Sequence, residues 1–484
     1  MGTHHVKAVR HAAWLMVQRT SLVASGILYA AIVPRLMGPE TYGRYAVMMS
    51  LSVWFYLMGE LGLTQSLARF LPERAALKDE DGIKSILGSV LALRLTTGLV
   101  SALAYFACMS WFLDDMHLKT LAVVAAAVFV GAAGELSFSV HLGLNRAARW
   151  GISFVIRRWA YLLAIPLGYR LGGLTGAASG AVATELLVMT IGYATSREHF
   201  SFAHLRVRAA VLKPILRFGV ILFAGNMILS TFRLSGEALV RLANGDYEQV
   251  GFFGLSMSIF IAAESGIVQL GMAFTPLFTS LALAGDREAL SIWVERLMRG
   301  LTVLVLPVVF GALLLADHLV PLLFGAAFRP AAPNMLPLTM TLAVLIPGTI
   351  AGALGLALTR PGVTLIASAV RLAGFWGAGF FLVRAHGSLG GCLAALGATI
   401  GYSAAMILLT RRLQPYTLRR WALAILVATP VAPLAWCKGS RGHDIILFLA
   451  GTAAYGGLVF ATRVISWSEI RSTFAAVSGR EVSG

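Results

Sequence analysis

Apolar residues along this chain come in long runs, and the polar ones gather in short links between them. Reading the runs gives about 14 stretches, each long enough as a helix to cross a hydrocarbon core about 30 Å thick. They lie near 13–34, 45–66, 86–110, 119–142, 151–169, 172–194, 212–232, 250–279, 300–323, 334–357, 362–383, 388–409, 421–437 and 444–462. The longest polar links read "ARFLPERAALKDEDGIKS" and "TSREHFSFAHLRVRAAVLKP". The pattern predicts an all-α, polytopic membrane protein.

Aligned on itself, the chain repeats. "LGLNRAARWGISFVIRRW" at 142–159 pairs without gaps with "LALTRPGVTLIASAVRLA" at 356–373, so Arg146 matches Arg360 and Arg157 matches Arg371. At nearly the same offset "LTGAASGAVAT" at 174 meets "LGGCLAALGAT" at 389. With some drift, "LRLTTGLV" at 93 resembles "MRGLTVLV" at 298, and "YGRYAVMMS" at 42 resembles "VGFFGLSMS" at 250. The order of these matches predicts two parallel six-helix repeats, 13–194 and 212–409, joined by a cytoplasmic linker over 195–211. A C-terminal helix pair with its loops occupies 410–462, between an N-terminal tail (1–12) and a C-terminal tail (463–484). An even number of spans per copy sets both copies the same way up, and such halves rock against each other around a central cavity.

Composition agrees with this picture. The 484 residues are 58% hydrophobic and 13% charged, with a mean hydropathy of +0.79, whereas soluble domains carry about 25% charge. The net charge of +17 is scattered in small groups between apolar runs, which excludes a nucleic-acid-binding domain. Cys108, Cys392 and Cys437 are far apart and form no metal or redox motif. The basic N-terminus precedes an uncleaved first span, and His4, His5 and His11 read as a chance cluster in a solvated tail. Of the 39 Lys and Arg, roughly 26 fall in one alternate set of loops and tails, which places both termini in the cytoplasm. No loop is large enough for a catalytic domain, no phosphate-cradling Gly-rich loop is present, and no Ser/His/Asp or paired-acid set suggests an enzyme.

Particular residues then suggest a family. A first span ending in "RLMGPETYGRYA" and a second running into "GELGLTQSLARFLPE" stand within a repeated six-span unit. Together they resemble bacterial polysaccharide-unit flippases, the Wzx-type branch of the multidrug/oligosaccharidyl-lipid/polysaccharide exporter superfamily. Leu36 to Gly43 match the family's Gly-containing turn, and Glu60, Gly62, Leu63 and Arg69 match the motif that follows it. "LFGAAFRPAAPNMLPL" at 323 looks like the family's Phe-Gly turn. The turn near residue 40 reads as topology and anchoring, with Tyr42 and Tyr45 at the membrane interface.

The resemblance implies a non-enzymatic transporter in a bacterial inner membrane. It would flip an undecaprenyl-pyrophosphate-linked oligosaccharide for surface or exopolysaccharide biosynthesis. The partners implied are that lipid-linked substrate, anionic membrane lipids, a polysaccharide polymerase and assembly proteins. No cofactor is implied beyond H+ or Na+ as a coupling ion. The rival readings are a cation-coupled drug or small-solute exporter of the same superfamily and a membrane polysaccharide polymerase. The polymerase would need a large outward loop that this chain lacks.

A carrier of pyrophosphate needs cations inside its spans, where a charge costs about 2.5–3.5 kcal/mol at a helix centre. The candidates are Arg371, its repeat partner Arg157, and Arg94 and Arg19. Thr364 and Ser368 share a helix face with Arg371. As coupling-ion carboxyls, Glu264 and Glu185 lie deepest, while Glu60 and Glu135 lie nearer the cytoplasmic ends. Each acid equally suits a structural pair with a neighbouring Arg. Ser265 and Gln269 make a polar stripe beside Glu264, which Asn226 on the preceding span would join.

Overall fold

Segments this apolar satisfy their backbone polar groups inside a bilayer only by coiling into helices. The structure, a computed structural model, describes residues 21, 24–144, 146–200 and 202–465, and among these nearly every residue is helical and none is in a strand. In order, α1 is Ala24–Met37, α2 Pro39–Met58 and α3 Leu63–Ala76. They are followed by α4 Glu80–Phe112, α5 Leu118–Gly143, α6 Ala147–Ser196, α7 Ala209–Leu234, α8 Gly236–Asn244, α9 Tyr247–Ala273 and α10 Thr275–Leu283. Then come α11 Arg287–Phe324, α12 Met335–Ala357, α13 Gly362–Arg411, α14 Arg419–Leu426 and α15 Arg441–Ala461. Among the described residues eight helices are long and apolar enough to cross a membrane, or up to ten if each bent pair is one span. One such pair is α2 and α3, bent by 41°. The all-α, multi-pass expectation holds.

Two of these helices are each two spans. At 50 residues, α6 and α13 would reach about 75 Å if straight, far beyond one crossing. Both break at glycine. Gly173 (φ 58°, ψ −142°) and Gly387 (φ 57°, ψ −134°) adopt the same conformation, one that a side chain makes costly. The halves then double back: a Cβ on Gly168 would fall on the Gly176 carbonyl, and one on Gly390 on the Leu382 carbonyl. The interval from Gly173 to Gly387 equals that from Arg146 to Arg360. The backbone bonds Arg146 N–H to His141 C=O and Arg360 N–H to Gly355 C=O keep the same interval. The sequence match of 174–184 with 389–399 is therefore one residue out of register with the structure.

Corresponding helices also start alike. Asp79 accepts the Gly82 N–H at 2.8 Å before α4, and Asp286 accepts the Ala289 N–H at 2.9 Å before α11. The Gly82 bond and an ion pair with Arg74 hold the Asp79 carboxyl below the usual carboxylate range.

The chain forms two compact units, Met1–Gly254 and Leu255–Gly484. In the first, α3, α4, α5 and the start of α7 share an apolar core around Leu67, Leu71, Leu87, Val140 and Ile215. Ser66 donates to the Ile215 carbonyl at 3.0 Å, and Gly62 (φ 72°) lies where a Cβ would strike the Gly219 carbonyl. These contacts hold α7, the first span of the second copy, in the first unit. In the second unit, α11 packs on α14 and α15 around Leu306, Phe310, Val431, Tyr455 and Val459. The interfacial expectation for Tyr42 and Tyr45 is corrected. Both rings are buried in protein, and the Tyr45 hydroxyl lies 2.5 Å from that of Tyr29.

Candidate functional site

In the first unit, the ascending half of α6 carries Arg157 into contact with two carboxyls. Its Nη1 donates to Glu135 Oε2 on α5 at 2.7 Å, and its Nη2 lies 3.4 Å from Glu185 Oε2 on the returning half of α6. Glycines on facing backbones make this approach possible: a Cβ on Gly180 would fall on the Ala164 carbonyl. Tyr161, one turn beyond Arg157, donates its hydroxyl to Glu185 Oε1 at 2.8 Å. Glu185 is 7% exposed, and its Oε2 accepts no hydrogen bond.

Arg94 stands nearby on α4 and is 3% exposed. Its Nε donates to the Ala132 carbonyl at 3.1 Å, and its guanidinium sits 4.9 Å from the Tyr56 ring centre. Neither Nη1 nor Nη2 has a hydrogen-bond partner. A buried cation with an open donor fork is expensive to keep.

The second unit repeats the cation and changes its company. Arg371 donates through Nη1 to Glu264 Oε1 at 2.7 Å and through Nε to Thr399 Oγ1 at 3.1 Å, with its guanidinium 5.5 Å from the Tyr402 ring centre. Arg371 is 2% and Glu264 1% exposed. In the register that matches Arg157 to Arg371, Glu135 corresponds to Thr349, Glu185 to Thr399 and Tyr161 to Phe375. The match of 42–50 with 250–258 sets Glu264 against Tyr56. An ion-paired arginine thus stands at matching positions, part-buried as Arg157 and buried as Arg371. Its counter-charge comes from α5 and α6 in one copy and from α9 in the other.

The remaining candidates divide. Ser368 is buried beside Arg371 on α13, and Thr364 is half-buried with a hydroxyl that has no hydrogen-bond partner. Ser265 donates back to the Ile261 carbonyl of its own helix, while Gln269 and Asn226 are exposed. Glu60 accepts the Thr64 N–H at 3.3 Å, which satisfies the start of α3. Arg19 lies outside the described residues. No group of His, Cys, Asp and Glu among the described residues is arranged for a metal.

Residues 32–333 match the family described as polysaccharide biosynthesis protein, which is well over half of the chain. The chain belongs to that family. Solved structures show the same fold at low identity. An inward-facing multidrug resistance MATE-family transporter of the MOP superfamily is 16% identical with a TM-score of 0.70, over 82% of this chain and 94% of its own. The lipid II flippase MurJ in an inward closed conformation is 12% identical with a TM-score of 0.70, over 98% and 100%. A MOP-superfamily transporter from Pyrococcus furiosus is 17% identical with a TM-score of 0.57, over 84% and 94%. No functionally curated protein is significantly similar in sequence.

The stretch matched to the polysaccharide biosynthesis protein family holds Arg94, Arg157 and the three carboxyls Glu135, Glu185 and Glu264, and it ends before Arg371. It also holds two features that sequence reading missed. Arg299 counts as a loop residue by hydropathy, yet it is 2% exposed within α11. The signal was present, because the match of "LRLTTGLV" to "MRGLTVLV" pairs it with Arg94. The second feature surrounds the turn near residue 40, in the first unit. Arg44 and Arg241 each lie 4.3 Å from the Tyr247 ring centre, and the Tyr247 hydroxyl donates to Asp115 at 2.7 Å. Asp115 also receives Arg44 at 3.1 Å. Four segments meet there, too far apart in sequence for any motif to reveal.

Proposed function

We propose that this protein flips a polyprenyl-pyrophosphate-linked oligosaccharide from the cytoplasmic to the outer leaflet of the bacterial inner membrane by alternating access. Membership of the polysaccharide biosynthesis family and a fold shared with MurJ support a lipid-linked substrate. The observation that carries the reading is the open guanidinium fork of Arg94, a permanent cation held inside a span with two nitrogens unbonded. A fork of that kind suits phosphate oxygens, which it can meet with parallel hydrogen bonds. Arg157 and Arg371 are ion-paired, so a phosphate would have to displace a carboxylate to reach either. Arg94 is the better first contact. Both termini lie in the cytoplasm in this reading.

Deletion of the protein is expected to stall surface polysaccharide while the lipid-linked unit accumulates on the cytoplasmic leaflet. In reconstituted vesicles Arg94→Ala should lower flux per molecule at least tenfold, and Arg94→Lys should retain part of it. Units that accumulate outside, flipped but unpolymerised, would favour a polymerase instead. The fold matches the MATE transporter and MurJ equally well by TM-score, which keeps drug export as the second reading. Buried arginines repel cationic drugs, and drug sensitivity of the deletion strain tests that reading directly.

A further inference from the structure

The surroundings of the two matching arginines differ, and the difference is one of charge. Around Arg371 the guanidinium meets the Glu264 carboxylate, and the position that matches Glu185 is held by the Thr399 hydroxyl. Around Arg157 two carboxyls, Glu135 and Glu185, share one guanidinium. Glu135 holds the short, hydrogen-bonded contact at 2.7 Å. Glu185 is left with an Oε2 that is buried, 3.4 Å from Nη2, and bonded to nothing. Tyr161 supplies a hydroxyl to its other oxygen only, and Phe375, at the corresponding place in the second copy, has none to give.

We propose that the Glu135–Arg157–Glu185 triad is a proton-binding site that carries one exchangeable proton, on Glu185, and that the Arg371–Glu264 pair carries none. Removing a carboxylate from water without a full set of donors costs several kcal/mol, and a proton on Oε2 removes the need for them. The other charged and titratable groups close by do not supply the missing donor. Arg94 on α4 is directed at the Tyr56 ring and the Ala132 carbonyl and forms no ion pair with either acid. Arg158, next along α6, and Tyr29 on α1 lie within electrostatic reach of Tyr161 but give Glu185 no hydrogen bond. Tyr56 on α2 faces Arg94, Arg157 and Glu135. A metal cation fits poorly, because the guanidinium already occupies the space between the two carboxyls.

The step balances simply. Protonated Glu185 releases H+ to water and becomes a carboxylate. Arg157 Nη2 then closes the 3.4 Å gap, bridging α5 to the returning half of α6. Reprotonation frees it again. A proton thus decides whether one arginine is held by one helix or by two. Its role in transport rests on the flippase reading, whereas its existence does not.

Infrared difference spectroscopy on the purified full-length protein reads the site without any substrate. A buried carboxylic acid C=O stretch should be present, should disappear on raising the pH, and should be lost in Glu185→Gln but kept in Glu264→Gln. Tyr161→Phe should shift the frequency of that band, since Oε1 loses its donor; this variant serves if Glu185→Gln fails to fold. A band untouched by Glu185→Gln and Tyr161→Phe, or lost in Glu264→Gln, overturns the assignment. So does a band that sodium abolishes at constant pH. In vesicles, an imposed pH gradient should change wild-type flux severalfold and leave Glu185→Gln flux unchanged. A Glu185→Gln variant that still responds to the gradient overturns the coupling role. Absence of wild-type flux counts against the flippase reading alone and leaves the infrared result standing.

Discussion

At the scale of single residues, the arginines are held by geometry that hydropathy does not encode. Arg371 and Glu264 are both almost completely buried and 2.7 Å apart, an arrangement in which either partner is costly alone. Glu264→Gln should therefore destabilise the protein by about 3–5 kcal/mol, the usual result of stranding a buried charge. Joint replacement by apolar residues, Arg371→Met with Glu264→Leu, should recover most of that loss. Thermal unfolding in detergent checks both, and a Glu264→Gln protein as stable as wild type would rule the pair out as the counter-charge. The pairing itself was half legible. Arg157 and Arg371 stand out as in-span cations with a common spacing, but their partners lie 22 and 107 residues away. No local pattern says which helices will meet.

At the scale of elements, glycine decides where a long apolar run turns back. Gly172 and Gly173 both have open space where a Cβ would go, but only Gly173 has a positive φ. Substitution by alanine therefore separates backbone strain from crowding at adjacent positions. Gly173→Ala should cost about 1–3 kcal/mol through its backbone conformation, while Gly172→Ala should be close to neutral. Melting temperatures of the two variants make the comparison, and equal stability would mean that the turn does not depend on the φ of Gly173. The break was visible in the sequence as the link between predicted spans 151–169 and 172–194. Its exact place and its conformation, shared with Gly387, were not, because the predicted link at 170–171 holds no glycine and hydropathy counts Gly172 and Gly173 in the apolar run that follows.

At the scale of the whole molecule, the Lys and Arg asymmetry predicts an orientation with both termini in the cytoplasm. Ala76, in the exposed end of α3, and Ala327, after the Gly325 turn (φ 101°), both have accessible side chains in the structure. Cysteine placed at Ala327 should react with an impermeant thiol reagent added outside intact cells, and cysteine at Ala76 should not. The reverse pattern would invert the topology. Gln414, which hydropathy places in an inner loop, is unsuitable for this purpose because it is buried and donates to the Arg287 carbonyl at 2.8 Å.

The sequence alone determined the helical, multi-pass class, and it pointed to an internal repeat with an in-span arginine in each half. Each of these follows from local rules: an apolar run must coil to satisfy its backbone, and a duplicated stretch keeps its spacing. Tertiary structure alone decided what surrounds those arginines. Glu135 and Glu185 reach Arg157, and Glu264 reaches Arg371, because helices that are separate in the sequence pack together. Packing also buries Arg299 and the rings of Tyr42 and Tyr45, and gathers Arg44, Asp115, Arg241 and Tyr247. A charge inside a membrane protein is costly without a partner, and the partner is chosen by the fold.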